Sequence, residues 1–144
     1  MTEIILGLGS NLGNRENNLR QAVSLIGETL LDDIDQSSLH HSKPLLLPDS
    51  PPEWNKPFLN IVIAGTLKNK NTTPLQFLSK IKEIETQLGR KPVARWAPRE
   101  IDIDILAWGN EKIDLPDLKI PHPEMLKRDF VLVPLAEIRP DWKP

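Results

Sequence analysis

The stretch Ile101-Asp102-Ile103-Asp104-Ile105 alternates apolar and acidic residues without interruption, and such alternation is the signature of a strand with one buried face. The two aspartates therefore emerge on the same side, with Cα atoms roughly twice the ~3.3 Å strand rise apart. That separation suits carboxylates gripping one hard cation or a pair of them. Immediately upstream, the segment from Gly89 to Arg99 carries Arg90, Lys91, Arg95 and Arg99 among its prolines. Arg95 and Arg99 bring anion-binding forks close to the acids, the combination that phosphoryl-type transfer requires. The same pattern also fits a polar strand face beside a solvated basic loop, and Trp96 fits either a flat surface for a base or ring or a core anchor.

The 144 residues make one domain, 1–144, long enough to bury a core without staples. With no cysteine, thiol catalysis and cysteine-based zinc sites are excluded. Eighteen Lys and Arg against 20 Asp and Glu leave no general nucleic-acid surface, so any anion site must be local. Met1-Thr2-Glu3 leads into a short apolar strand without a basic leader, and no apolar run approaches the ~20 residues needed to cross a bilayer. The expected location is the cytosol. Fourteen prolines against seven glycines, clustered at 44–57 and after 115, predict rigid, ordered loops.

Ile4 to Gly9 reads as a buried first strand and Ser10 to Asn14 as the turn out of it. Gly7, Gly9 and Gly13 miss the dinucleotide spacing by one residue, and no Gly-Lys-Ser/Thr follows. Leu19, Ala22, Val23, Leu25, Ile26 and Leu30 recur at helical spacing over 14–31, with Asn14 as the cap. Residues 32–41 are weakly patterned, an edge strand ending in His40-His41, whose side chains point to opposite faces and make poor joint metal ligands. A proline-dense loop over 42–57 follows, in which three leucines and Trp54 argue against disorder.

Phe58 to Gly65 forms the next strand, with Phe58, Asn60 and Val62 on one face. Phe58 and Asn60 can stack on and hydrogen-bond a planar heterocycle, or serve as a core aromatic and a capping amide. Thr73-Pro74 opens a second helix that Gly89 stops, with Leu75, Leu78, Ile81, Ile84, Glu85 and Leu88 on its period. Glu85 either faces solvent or orients an arginine or a substrate. Beyond the acidic strand come a turn at 108–111, the stretch 113–120, and His122 between two prolines, suited to structural hydrogen bonding or to ligand contact. A short helix at 125–129 and a last strand at 130–133 complete the chain. The order β-α-β-β-α-β predicts an α+β, ferredoxin-like antiparallel sheet with its helices packed on one face, leaving the other to loops and ligand.

Taken together, Gly-Ser-Asn-Leu at 9–12, Phe-Leu-Asn at 58–60, Arg-Trp-x-Pro-Arg-x-Ile-Asp-Ile-Asp-Ile at 95–105 and Pro-His-Pro at 121–123 followed by Arg128 and Phe130 resemble the 6-hydroxymethyl-7,8-dihydropterin pyrophosphokinases of folate biosynthesis. The resemblance runs from Met1 to about Pro140. It implies transfer of the terminal diphosphate of ATP, as one unit, to the hydroxymethyl oxygen of the pterin, leaving AMP. By motif match, Asp102 and Asp104 would hold two Mg²⁺ ions and Arg99 would reach across the reacting phosphates. Glu85, Trp96, Ile105, His122 and Arg128 would line the ATP site. Phe58 and Phe130 would sandwich the pterin, Asn60 would read its edge, and backbone near Ser42, Pro44 and Leu45 would complete that reading. The implied partners are these two small molecules, with no nucleic acid or membrane, and a monomer is expected. Residues 44–57 and 89–98 would correspond to mobile catalytic loops of the family. The chain departs from the family pattern at Ala97, where glycine is common, at His40, where an aromatic is usual, at Pro123, where tyrosine is common, and at Lys91, the nearest counterpart of a second arginine.

A non-catalytic ferredoxin-like binding module is the rival expectation, since architecture alone does not fix chemistry. Against an RNA-binding version, tyrosine is absent, phenylalanine numbers only three, and no Lys/Arg-Gly-Phe sheet motif occurs.

Overall fold

The computed structural model describes residues 2–44, 46–91 and 97–144. Five strands, β1 (Glu3–Ser10), β2 (Leu31–Gln36), β3 (His40–Ser42), β4 (Phe58–Leu67) and β5 (Asp102–Trp108), form one antiparallel sheet. Its order is β2-β4-β1-β5, and β3 continues along β4 beyond the end of β2. The helices are α1 (Arg15–Thr29), α2 (Pro74–Gln87) and α3 (Asp129–Ile138). Strand order and helix crossovers match the expected ferredoxin-like arrangement.

Strand β1 lies between two neighbours and is buried on both faces, so its sequence is continuously apolar instead of alternating. Ile4, Leu6 and Leu8 pack with Leu19, Ala22 and Ile26 of α1 and Phe77, Ile81 and Ile84 of α2. Phe77, which the helical spacing did not single out, is fully buried and meets Trp108 edge-on at 5.2 Å, whereas Leu75 is exposed. Both helices start at the anticipated caps. The Asn14 side chain accepts from the Asn17 amide, and Thr73 and Gln76 form a reciprocal capping box. Gly89, with φ +102°, follows α2 in the left-handed conformation that ends helices.

Two expectations are corrected. Phe130 to Val133 belong to α3 and not to a last strand, and α3 lies on the face opposite α1 and α2. There Val131 and Leu135 cover Ile5, Val62, Ala64, Leu106 and Ala107. Burial of this second apolar surface overrides both the β-branched run and Pro134 within the helix. The helices are thus shared between the two faces, two and one. The segment 113–120 forms a small hairpin, β6 (Ile113–Leu115) and β7 (Leu118–Ile120), turning at Pro116-Asp117.

The weak pattern over 32–41 also has a structural cause. The β2/β4 register slips between Asp32 and Asp35, with Asp33 at φ 52°, and pairing breaks before β3. Glu137 near the end of α3 bridges the break: it accepts the Ser38 amide at 2.9 Å, and both the Ser38 hydroxyl and His40 Nε2 at 3.0 Å. These donors hold the Glu137 carboxyl below the usual range, the His40 hydrogen bond contributing most. No described helix is long and apolar enough to cross a membrane.

Candidate active site

The part of the sheet face that α3 leaves uncovered is walled by β1, β4, β5, the 97–99 segment and residues 122–131. These enclose a cavity of about 470 Å³. Phe58 and Asn60 on β4 mark its aromatic end and Asp102 and Asp104 on β5, across β1, its acidic end; Phe130, Arg90, Arg99, His122 and Arg128 also line it. A second cleft of about 320 Å³ shares Lys82, Asp104, His122 and Glu124 with the first, and Leu78, Ile103, Ile105 and Leu118 give it apolar walls.

At the acidic end, Asp102 and Asp104 share one face of β5, as the alternation requires, while Ile103 and Ile105 are buried beneath. Both acids remain partly open, with 28% and 27% of their side chains exposed. Asp102 Oδ1 lies 3.0 Å from Arg90 Nη1 and 3.6 Å from Arg99 Nη1. Among the described residues Asp104 has no such close guanidinium, and its carboxyl is pushed up to about 8, first by burial and then by the charges of Asp102 and Glu85. Lys82 and Arg90 only partly offset them.

Glu85 takes the arginine-orienting alternative and is neither on a solvated face nor among the cavity-lining residues. It is 2% exposed, and its Oε2 accepts Arg90 Nη1 at 2.6 Å and the Ile103 amide at 2.8 Å. Lys82 approaches its other oxygen at 3.4 Å. Glu85 therefore sits behind the cavity and orients Arg90, which bridges it to Asp102.

His122 accepts the Met125 amide at Nδ1 at 3.1 Å. That bond assigns the neutral ring its proton on Nε2, which faces Asp104 Oδ1 at 3.9 Å. Burial lowers the His122 pKa, outweighing the upward pull of Glu124 and Asp102, so the ring is neutral at neutral pH. Arg128, also on the wall, has a buried Nε without a hydrogen-bond partner among the described residues. An unpartnered guanidinium atom beside a cavity calls for an anion to complete it.

At the aromatic end, the Asn60 amide is held in one orientation. Its Nδ2 donates to the His40 carbonyl at 3.2 Å and to Ser42 Oγ at 2.8 Å. Oδ1 then faces Gly9, where an added Cβ would lie 2.9 Å from it and 3.2 Å from the Phe58 ring. The missing side chain at Gly9 keeps this slot flat. Ser42 acts behind Asn60, and Pro44 is not among the cavity-lining residues. Trp96 and Leu45 lie outside the described residues.

Lys43, Lys82 and Glu124 also line the site, and the sequence reading did not select them. For Lys82 a signal existed, since it stands three residues before Glu85 on α2 and shares its helix face.

Fold and cleft together define an α+β domain in which two aspartates and several guanidinium groups share one cavity with two phenylalanines and an asparagine. A family model for 7,8-dihydro-6-hydroxymethylpterin-pyrophosphokinase (HPPK) matches residues 5–140, and the chain belongs to that family. It is 41% identical over 142 residues to the 2-amino-4-hydroxy-6-hydroxymethyldihydropteridine pyrophosphokinase of Aquifex aeolicus, covering 98% of this chain and 82% of the relative. It is 44% identical over 138 residues to the folate synthesis bifunctional protein of Chlamydia caviae, covering 95% of this chain. The chain spans only 30% of the length of that bifunctional relative. Among solved structures, Plasmodium falciparum HPPK-DHPS superposes with a TM-score of 0.68 at 18% identity, over 99% of this chain and 42% of the other. That last likeness concerns the fold.

Proposed function

We propose that this domain transfers the terminal diphosphate of ATP to the hydroxymethyl oxygen of 6-hydroxymethyl-7,8-dihydropterin, releasing AMP and the pterin diphosphate. The observation that carries the proposal is the shared cavity. One enclosure joins an aromatic and amide slot to a cluster of acids and guanidinium groups, and it opens into an apolar-walled cleft.

In this reading, Phe58 and Phe130 hold the pterin ring between them and Asn60 Oδ1 accepts from its edge. The second cleft takes the adenine against Ile105 and Leu78, which brings the triphosphate past His122 and Arg128 toward Arg99. His122 Nε2–H donates to a phosphate oxygen, and Arg128 satisfies its orphaned Nε on another. Arg99 neutralises charge that spreads over the transferring group. The pterin hydroxyl loses its proton to water as its oxygen forms a bond to the β-phosphorus, the bond from that phosphorus to the α-bridging oxygen breaks, and AMP departs with the electron pair. Such in-line displacement needs positioning and charge neutralisation more than covalent help.

Magnesium fits the donor set. Two carboxylates supply only oxygen, the ligand that Mg²⁺ prefers alongside substrate phosphates and water. Burial first, and then the charges of Asp102 and Glu85, raise the Asp104 carboxyl, and a divalent cation would relieve that repulsion. Asp102 and Asp104 would hold two ions, which when bound neutralise the phosphate oxygens and orient the triphosphate.

Nucleotide products measured by chromatography after incubation with ATP and Mg²⁺ test the proposal. AMP formed only when the pterin is present is the expected result. ADP instead of AMP, or turnover independent of the pterin, would overturn it.

A further inference from the structure

Asn11, from the Gly-Ser-Asn-Leu motif, takes no part in the scheme above, yet its side chain is 2% exposed and fully engaged. It directly follows β1, whose Gly9 pairs with Asp102 on β5. The Asn11 amide donates to the Arg99 carbonyl at 3.2 Å, extending the β1/β5 ladder past its last paired residues. Its Oδ1 accepts the Arg99 amide at 2.9 Å. Both backbone polar groups of Arg99 are thus gripped by one residue. The remaining donor, Nδ2, reaches the Lys56 carbonyl at 3.1 Å, two residues before Phe58.

We infer that Asn11 is a positioning residue: it fixes the backbone from which the Arg99 guanidinium projects toward Asp102, and ties that segment to the chain leading into Phe58. The contribution of Arg99 to turnover rests on the diphosphate-transfer reading; the grip on its backbone does not. A long side chain reaches a set point in a cleft only if its base is fixed, and Arg99 lies in a coil segment outside β5. A displacement of about 1 Å in a charge-stabilising group costs on the order of 100-fold in rate. Asn11 is well suited to the task because one amide side chain supplies an acceptor and a donor at once.

Three measurements decide the inference. In the wild-type chain the Arg99 amide should exchange slowly with deuterium, and exchange at the rate of an open loop would overturn the assignment without any variant. Asn11→Ala should lose about 100-fold in kcat with KM for ATP changed by less than about threefold. In an Arg99→Ala background the same substitution should cost nothing further in kcat, because Asn11 acts on kcat through the missing guanidinium, and what the lost Lys56 tie adds should fall on KM for the pterin. Losses that multiply in the double variant would identify general structural damage and overturn the inference. If the wild type makes no AMP, the transfer reading fails by itself, and the exchange rate of the Arg99 amide still judges the grip.

Discussion

Glu85 Oε2 accepts a hydrogen bond at 2.8 Å from the backbone amide of Ile103, the residue that separates the two acids of the site. Strand β5 is the last in the sheet order, so its outward amides have no neighbouring strand to pair with. A buried carboxylate on α2 satisfies one of them and, through Arg90, balances Asp102. Truncating one partner of a buried ion pair leaves the other charge uncompensated. Glu85→Ala should therefore cost about 3 kcal/mol of stability in urea denaturation and also lower activity. A loss below about 1 kcal/mol would mean that Arg90 and the Ile103 amide find replacements in water.

Asp104 makes stability depend on pH in the absence of metal. Its carboxyl titrates near 3.8 in the unfolded chain and at about 8 in the folded one. Below the lower value both states are protonated and the contribution is intact. Between the two, only the unfolded state has lost its proton, so stability falls as pH rises and levels off above the folded value. With EDTA present, the melting temperature of the wild type should decline from pH 5 to 8 more steeply than that of Asp104→Asn. Parallel curves for the two proteins would refute the burial and repulsion assigned to this carboxyl.

Much of this was legible in advance because the determinants are local. Alternation exposed β5, period and caps exposed α1 and α2, and adjacency of basic and acidic residues exposed one end of the cavity. Helix α3 was not legible, because Phe-Val-Leu-Val-Pro reads as a strand until the second apolar face of the sheet is there to bury Val131 and Leu135. Glu85 illustrates the same limit. Its position on the helical period was plain, but only the fold brings the Ile103 amide and Arg90 around to it. For Asn11 the motif was visible, while its grip on a residue 88 positions away was not.

Arg128 separates function from stability. Its Nε is buried and has no partner among the described residues, a cost that folding bears until an anion arrives. Arg128→Met retains most of the apolar stem and removes the orphaned atom. The nucleotide-free variant should melt at or slightly above the wild-type temperature, while KM for ATP rises about 10- to 100-fold. A variant clearly less stable than the wild type, with KM for ATP unchanged, would show that the guanidinium serves the fold and not a phosphate.

Gly9 provides the sharpest test of the aromatic slot, because a single methyl group is added at a known place. The new Cβ would stand 2.9 Å from Asn60 Oδ1 and 3.2 Å from Phe58 Cδ1, both below ordinary contact. Asn60 cannot easily yield, since its Nδ2 is committed to the His40 carbonyl and Ser42 Oγ. Phe58 lines the cavity, so a displaced ring would take up space there. Overpacking of this kind costs about 1–3 kcal/mol, and here the strain falls on the groups proposed to hold the pterin. Gly9→Ala should raise KM for the pterin about tenfold or more, by the same free energy. Asp102 pairs with Gly9 across the β1/β5 ladder, but the atoms that the new Cβ crowds belong to Asn60 and Phe58, so KM for ATP should rise much less than KM for the pterin. Equal increases in both constants would show that the two ends are not independent subsites, and an unchanged pterin KM would remove Phe58 and Asn60 from its recognition.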